Sequence, residues 1–291
     1  MKNLLKSIWN KTSRTIKSGG LPVYTPMTRP FRMSDLCQIP DNWKINGPDF
    51  VGVASPKAGT TWWYSLILEH PQVVENRLKE KELAYFYHFG TQGISKEDIS
   101  VYRQAFASPD NCISGEWSPS YLWYPLALDY LATAAPETKI LIVLRNPIDR
   151  FISHLNQFKS VYSERFDLGT DLNHMIELFW VFPDSLTQSC LSFPLSRLLS
   201  LFERNQILIL QYEKCKLDVY TEILRTYRFL GIDDGYKPAT PDRPVNRIEH
   251  KIPDITEEER EFLARYYSPD VQAMIKMFPE IDTSLWPEFS V

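Results

Sequence analysis

Asp49 to Trp63, D-F-V-G-V-A-S-P-K-A-G-T-T-W-W, runs from a short apolar strand (Phe50, Val51, Val53, Ala54) through a tight turn into a helix. Gly59 gives the turn access to backbone conformations closed to other residues, so the chain there can wrap closely around an anion. The amides that follow point at the anion from a helix N-terminus, and the helix dipole adds favourable potential. Lys57 brings a mobile positive charge, and Thr60 and Thr61 bring hydroxyl donors. Together these make a phosphate cradle. It differs from the nucleotide loop G-x-x-x-x-G-K-[ST], because the lysine precedes the glycine by two positions and the threonines follow it directly.

Lys139 to Phe158, K-I-L-I-V-L-R-N-P-I-D-R-F-I-S-H-L-N-Q-F, repeats the arrangement. Ile140 to Leu144 is a continuous apolar run, as in a strand buried on both faces of a parallel sheet. Asn146 reads as a helix N-cap, with Pro147 in the first helical position and Asp149 in the first turn. Arg145 then sits at the C-terminal end of a strand, where open α/β sheets bind ligands. Ser153 lies two turns into the helix, within reach of the same anion.

The order P-K-x-G-T-T-W resembles the 5′-phosphosulfate loop of sulfotransferases that use 3′-phosphoadenosine-5′-phosphosulfate (PAPS). R-N-P-x-D-R with its helix serine resembles the 3′-phosphate motif of the same family. The resemblance covers most of residues 48–231. It implies that Lys57, Ala58, Gly59, Thr60, Thr61, Arg145 and Ser153 bind PAPS as co-substrate and release 3′-phosphoadenosine-5′-phosphate (PAP), without a metal. It also implies that Trp62 stacks on the adenine, with Trp63 as the alternative, and that Tyr212 contacts the nucleotide. Arg243, Arg247 and Lys251 are implied in a loop over the 3′-phosphate, although the K-G-x-x-G-x-W signature of the small-molecule enzymes is missing there.

Lys57 is the expected catalytic cation. For the base, Lys81-Glu82-Leu83-Ala84-Tyr85-Phe86 resembles the K-E segment of the carbohydrate sulfotransferases, such as those acting on heparan sulfate, which favours Glu82. Read from residue chemistry alone, Glu82 is a solvated carboxylate in the run Lys79-Glu80-Lys81-Glu82. Gly115-Glu116-Trp117-Ser118-Pro119-Ser120-Tyr121 resembles G-E-K-[ST]-P-x-Y, with Glu116 as a second active-site carboxylate that orients the acceptor or Glu82. Trp117 replaces the usual lysine, trading a cation for an aromatic surface able to stack on a sugar ring or apolar acceptor. His88 is the runner-up base; His70, His154, His174 and His250 have weaker cases.

Strand patterns at Cys112–Glu116 and Ile207–Tyr212, with a weaker one at Ala84–Phe89, alternate with helical patterns at Thr61–His70, Pro125–Ala134, Pro147–Tyr162, Leu195–Glu203 and Tyr220–Leu230. Gly231 is a C-cap, Thr256 and Glu259 form a capping box, and Ser268-Pro269 opens a last short helix. This alternation indicates an α/β protein. The expected architecture is a P-loop-like three-layer fold, a central parallel sheet flanked by helices. Residues 48–291 form the single domain and residues 1–47 a basic arm, with Phe166–Phe193 as an insertion over the acceptor site. The reaction expected is sulfuryl transfer to a hydroxyl of a carbohydrate, glycolipid or other small molecule. A kinase-like NTP enzyme on the same fold, or a non-catalytic nucleotide-binding homologue, are the other readings.

The chain has 291 residues, 44% hydrophobic and 23% charged, which is enough for one large core. A net charge of −4 argues against a nucleic-acid partner. Cys37, Cys112, Cys190 and Cys215 are far apart and read as free thiols without metal-ligand spacing. No run reaches the roughly 18 apolar residues of a membrane span, and the expected location is cytoplasmic, with peripheral membrane contact through residues 1–20. Residues 1–34 hold no Asp or Glu, and Leu4, Leu5, Ile8, Trp9, Thr12 and Ile16 recur at helical spacing among lysines and arginines. An amphipathic membrane-surface helix, an organelle transit segment and a solvated arm packed on the domain all fit this pattern. On the membrane reading, deleting residues 1–20 abolishes co-sedimentation with anionic vesicles and leaves soluble activity intact. Equal sedimentation of both forms removes that reading.

Overall fold

The computed structural model describes residues 30–162, 184–239, 241 and 255–290. Five strands, β1 (Phe50–Val53), β2 (Val73–Val74), β3 (Ile113–Trp117), β4 (Lys139–Leu144) and β5 (Ile207–Gln211), form one sheet in the order β2-β3-β1-β4-β5. Every pairing is parallel. Side chains alternate between the faces as the pleat requires. Val51, Val53, Ile140, Ile142, Leu144, Ile207 and Ile209 enter one apolar cluster. Phe50, Leu141, Val143, Leu208 and Leu210 enter the other. Both clusters are covered by helices, so the predicted three-layer α/β architecture is the one observed.

The helices are α1 (Thr60–Leu68), α2 (Lys96–Gln104), α3 (Pro125–Ala134), α4 (Pro147–Tyr162), α5 (Asp184–Thr187), α6 (Ser192–Leu201), α7 (Tyr212–Leu217), α8 (Val219–Leu230) and α9 (Glu257–Met277). Helix α1 follows β1 and packs with α8 on one face, through Trp63, Leu66, Ile223 and Tyr227. Helix α4 follows the neighbouring β4 and packs on the other, through Ile148, Phe151 and Leu155. The chain therefore leaves β1 and β4 in opposite directions, which opens a crevice at their C-terminal ends. Residues before β1 also join the core: Phe31 is buried against Tyr85, and Lys44 pairs with Ser108 across a short bridge.

Several elements differ from the sequence reading. Ala84–Phe89 is not a strand. The backbone N–H groups of Leu83, Ala84 and Tyr85 are taken by Glu116 Oε2, Ser118 Oγ and the Tyr121 hydroxyl, so no neighbouring strand can use them. Tyr85–His88 is a 3₁₀ turn instead. Tyr212 opens α7 rather than closing β5. Helix α9 runs straight through Ser268-Pro269. An interior proline costs about 3 kcal/mol; Leu263, Tyr267, Val271 and Met274, buried on both sides of it, offset that loss. Helix α2, started by a Ser95–Asp98 capping box, went unpredicted. Of the expected insertion Phe166–Phe193, residues 166–183 lie outside the described residues.

The end of β3 shows how the pleat sorts two adjacent side chains. Trp117 goes to the α1/α8 face, wholly buried against Gly52, where a Cβ would meet the indole at 2.0 Å. Stacking of Trp117 on an acceptor is thereby overturned. Glu116 goes to the opposite face and is likewise fully enclosed. Its oxygens accept from Tyr102 and Tyr121 hydroxyls at 2.7 and 3.3 Å, Ser118 Oγ at 2.5 Å and Leu83 N at 3.0 Å. Burial outweighs these donors and lifts the carboxyl from 4.5 to about 7. Below 4.5 the folded and unfolded chains both hold this proton. Between 4.5 and 7 the unfolded chain gives it up while the folded chain keeps it, so stability falls as pH rises through that window. Glu116→Gln removes this dependence, so urea unfolding at both ends of the window moves roughly 3 kcal/mol in the variant's favour relative to wild type. A gap that stays constant with pH refutes a raised Glu116.

Candidate functional site

The loop between β1 and α1 is wound tightly. Ala54, Lys57 and Gly59 have φ of 93°, 71° and 86°, and left-handed backbone at non-glycine residues is strain held in place by surroundings. Three tethers hold it. Ala54 N donates to Pro119 O at 3.2 Å, Ser55 Oγ to Gln188 O at 2.8 Å, and Arg145 Nη1 to Lys57 O at 2.8 Å. Gly59, the N-cap of α1, lies under the Tyr212 ring so closely that a Cβ would meet it at 2.7 Å. Ala58 is buried, and Thr60 and Thr61 supply the first turn of α1.

Arg145 extends from the end of β4 to this loop. Its guanidinium lies over the Tyr212 ring at 4.8 Å, and its Nε is buried with no hydrogen-bond partner. Asn146 caps α4 as expected, its Oδ1 accepting from Ile148 N and Asp149 N. Glu213 receives Asn146 N and Glu288 receives Asn146 Nδ2, fixing the strand-to-helix corner. Ser153 is half-buried on α4, and its hydroxyl makes no hydrogen bond among the described residues.

Burial, then the neighbouring Arg145, pulls the Lys57 ammonium below its usual range. Arg150, one turn into α4, is wholly buried and was not singled out in the sequence. It donates to Ser189 Oγ, the Ser185 carbonyl and His154 Nδ1. Burial brings its pKa down to about 10. Burial, with Arg150 and Lys57 nearby, drives His154 down to about 3, so the imidazole is neutral. Among the described residues no carboxylate forms an ion pair with Lys57, Arg145 or Arg150. A buried Arg150 and half-buried Lys57 and Arg145, without carboxylate partners around a donor-lined loop, fit a multiply charged anion.

The two tryptophans separate clearly. Trp63 is buried with its indole N–H on Thr226 Oγ1, while Trp62 is half-exposed, edge-on to Tyr212, and donates to Pro241 O at 2.7 Å. Arg243, Arg247 and Lys251, in the chain beyond Pro241, lie outside the described residues, as do His174 and His250.

Next to β1 in the sheet, β3 carries the Glu82 segment on its end. Trp117 N donates to Lys81 O at 2.7 Å and Leu83 N to Glu116, so Glu82 is pinned from both sides. Its Oε1 meets Lys81 Nζ at 2.8 Å, and that amine also reaches Thr60 Oγ1 at 3.1 Å. Lys81 thereby joins the cradle to the carboxylate, a contact hidden in sequence within a charged run. Glu116 touches this segment rather than open space. His88 is half-buried and drawn below its usual range by burial; His70 is structural, bonded to the Asp233 carbonyl and wedged between Tyr227 and Tyr236. No cluster of three or more His, Cys, Asp or Glu positioned for a metal occurs among the described residues.

Comparison with known proteins bears on the fold and the family. Solved structures include a sulfotransferase from Alicyclobacillus acidocaldarius that superposes with a TM-score of 0.61 at 22% identity, covering 82% of this chain and 98% of that one; it bears on the fold alone. The bifunctional heparan sulfate N-deacetylase/N-sulfotransferase 4 of Mus musculus is 27% identical over 200 residues, 65% of this chain and 23% of the relative. The membrane-associated sulfotransferase kil1 of Dictyostelium discoideum is 29% identical over 107 residues, 36% of this chain and 22% of the relative. The chain thus spans under a quarter of the length of these curated relatives. Residues 47–252, which include the ends of β1 and β4 and the Glu82 segment, match the family described as the sulfotransferase domain, and the chain belongs to that family.

Proposed function

We propose that the protein transfers a sulfuryl group from PAPS to a hydroxyl of a carbohydrate, glycolipid or other small-molecule acceptor. The observation that carries this reading is the group of Lys57, Arg145 and Arg150 around one strained loop, none ion-paired to a described carboxylate and with Arg145 Nε left over. A ligand phosphorylated at both ends of its ribose supplies the missing negative charge at two adjacent strand ends. Lys57 and the amides of Gly59, Thr60 and Thr61 take the phosphosulfate. Arg145 and Ser153 take the 3′-phosphate, and Arg243 and Lys251 are assigned to the same end by sequence. Trp62 and Tyr212 flank the base.

Glu82 is the base, with His88 as the runner-up. It takes the proton of the acceptor hydroxyl as that oxygen forms its bond to sulfur and the bond from sulfur to the bridging oxygen breaks. Lys57 neutralises the charge released on the phosphate side, where such stabilisation has most effect. Glu116 acts through position, by holding Leu83. The name of the murine relative favours a carbohydrate acceptor. Since Trp117 is buried, position 117 offers that acceptor neither a cation nor a ring.

Calorimetric titration with PAP beside AMP and ATP–Mg²⁺ tests the donor. PAP binds, and Arg145→Ala and Ser153→Ala each weaken it by a factor on the order of ten or more while leaving AMP little changed. Binding of ATP–Mg²⁺ without PAP replaces this reading with an NTP-dependent one. With radiolabelled PAPS and an acceptor found by screening, Lys57→Ala lowers turnover about 100-fold while PAP affinity changes by less than about fivefold. Loss of both in parallel leaves Lys57 only a binding role.

A further inference from the structure

Position 117 offers no ring to an acceptor, yet two other rings meet at the surface close by. Tyr124 is 54% exposed, and its ring lies against that of the half-buried Tyr87, with centroids 4.5 Å apart at 37°. Single exposed apolar side chains are common on any protein; an exposed ring held against a second ring is a preformed surface. Tyr87 is fixed from behind. It meets the Tyr121 ring edge-on at 5.4 Å, and its hydroxyl donates to Ser120 Oγ. Tyr124 is fixed through its backbone, between the 3₁₀ turn Pro119–Trp123 and α3. Its carbonyl accepts from Ala127 N at 2.9 Å and Leu128 N at 3.3 Å, and Pro125 follows directly. Its hydroxyl has no hydrogen-bond partner among the described residues.

Both rings hang from the end of β3. Tyr121, on which Tyr87 packs, accepts from Tyr85 N and donates to Glu116, and Glu116 holds Leu83, the residue after Glu82. The turn that ends beside Tyr124 starts at Pro119, whose carbonyl accepts from Ala54 N at the start of the cradle. The pair is thereby tied to the base segment on one side and to the donor loop on the other. We propose that Tyr87 and Tyr124 form a platform on which a sugar ring of the acceptor stacks, with the Tyr124 hydroxyl free to bond a sugar hydroxyl. This rests on the sulfuryl-transfer reading above and adds the substrate class to it. A pyranose has a C–H face to lie on a tyrosine ring and hydroxyls on its rim, which matches a side chain that is apolar in its body and polar at its tip. An open-chain alkyl alcohol has neither. Because the pair lies beside Glu82, it holds the acceptor and takes no part in the bond changes.

The test measures transfer from radiolabelled PAPS to two panels, disaccharides (cellobiose, lactose and chitobiose) and open-chain alcohols (1-hexanol and 1,6-hexanediol). Wild type, Tyr124→Ala and Tyr124→Phe are compared, and PAP binding is titrated for each. Wild type sulfates at least one disaccharide in preference to the alcohols. Tyr124→Ala raises the KM for that disaccharide about tenfold, with kcat and PAP affinity each within about twofold, while Tyr124→Phe keeps most of the affinity. An unchanged KM in Tyr124→Ala, or a fall in kcat at constant KM, overturns the proposal. So does the absence of transfer to every disaccharide by a wild type that binds PAP. A wild type that does not bind PAP defeats the donor reading itself, which separates the two failures.

Discussion

One hydrogen bond, from the Arg145 guanidinium to the Lys57 carbonyl, joins the two strand ends on which the site is built. It stabilises a loop residue in left-handed backbone, and it spends one face of the guanidinium on protein while leaving Nε unbonded. The arrangement costs free energy twice, in backbone strain and in bringing like charges together. Nothing among the described residues supplies an ion-paired carboxylate in return. Neighbouring parallel strands whose helices leave to opposite faces create the crevice. Arg145 and Arg150 beside it are held by neutral groups, namely carbonyls, the Ser189 hydroxyl, the Tyr212 ring and the neutral His154 imidazole, whereas Lys81 pairs with Glu82.

The second layer of support is the buried carboxyl of Glu116. By accepting from Leu83 N it holds the residue after Glu82, while Trp117 N holds the residue before it. The carboxyl offered by the motif as a second, orienting group is thus enclosed behind the segment it holds, while Glu82 stays partly exposed beside Lys81. Across the sheet, the ends of β3, β1, β4 and β5 bring the Glu82 segment, Lys57, Arg145 and Tyr212 into one line.

The layers and the two strand-end loops were legible because their signals are local. Continuous apolar runs set β1, β4 and β5, and Asn146-Pro147 and Gly231 mark helix ends. What escaped depends on long-range contacts. Ala84–Phe89 has strand-like residues, yet side chains from residues 116–121 take the amides of Ala84 and Tyr85 and of Leu83 just before them. Lys79-Glu80-Lys81-Glu82 reads as a solvated face, and only the meeting of Lys81 with Thr60 shows that half of it turns inward. Trp117 was assigned to an acceptor by motif position. Counting the pleat from Glu116 would have placed those two residues on opposite faces, without saying which face was the open one.

The contact between Gly52 and Trp117 also constrains how this chain can diverge. The indole fills the space that a side chain at position 52 would occupy, in a cluster with Trp63, Leu66 and Leu141. A lysine at position 117 would leave a void beside Gly52 and place an ammonium among apolar groups with no counter-charge. A residue larger than glycine at position 52 would collide with the ring. Each position thus forbids the single step that would make the other tolerable. Drift at Gly52 and Trp117 is therefore possible only through coordinated replacement.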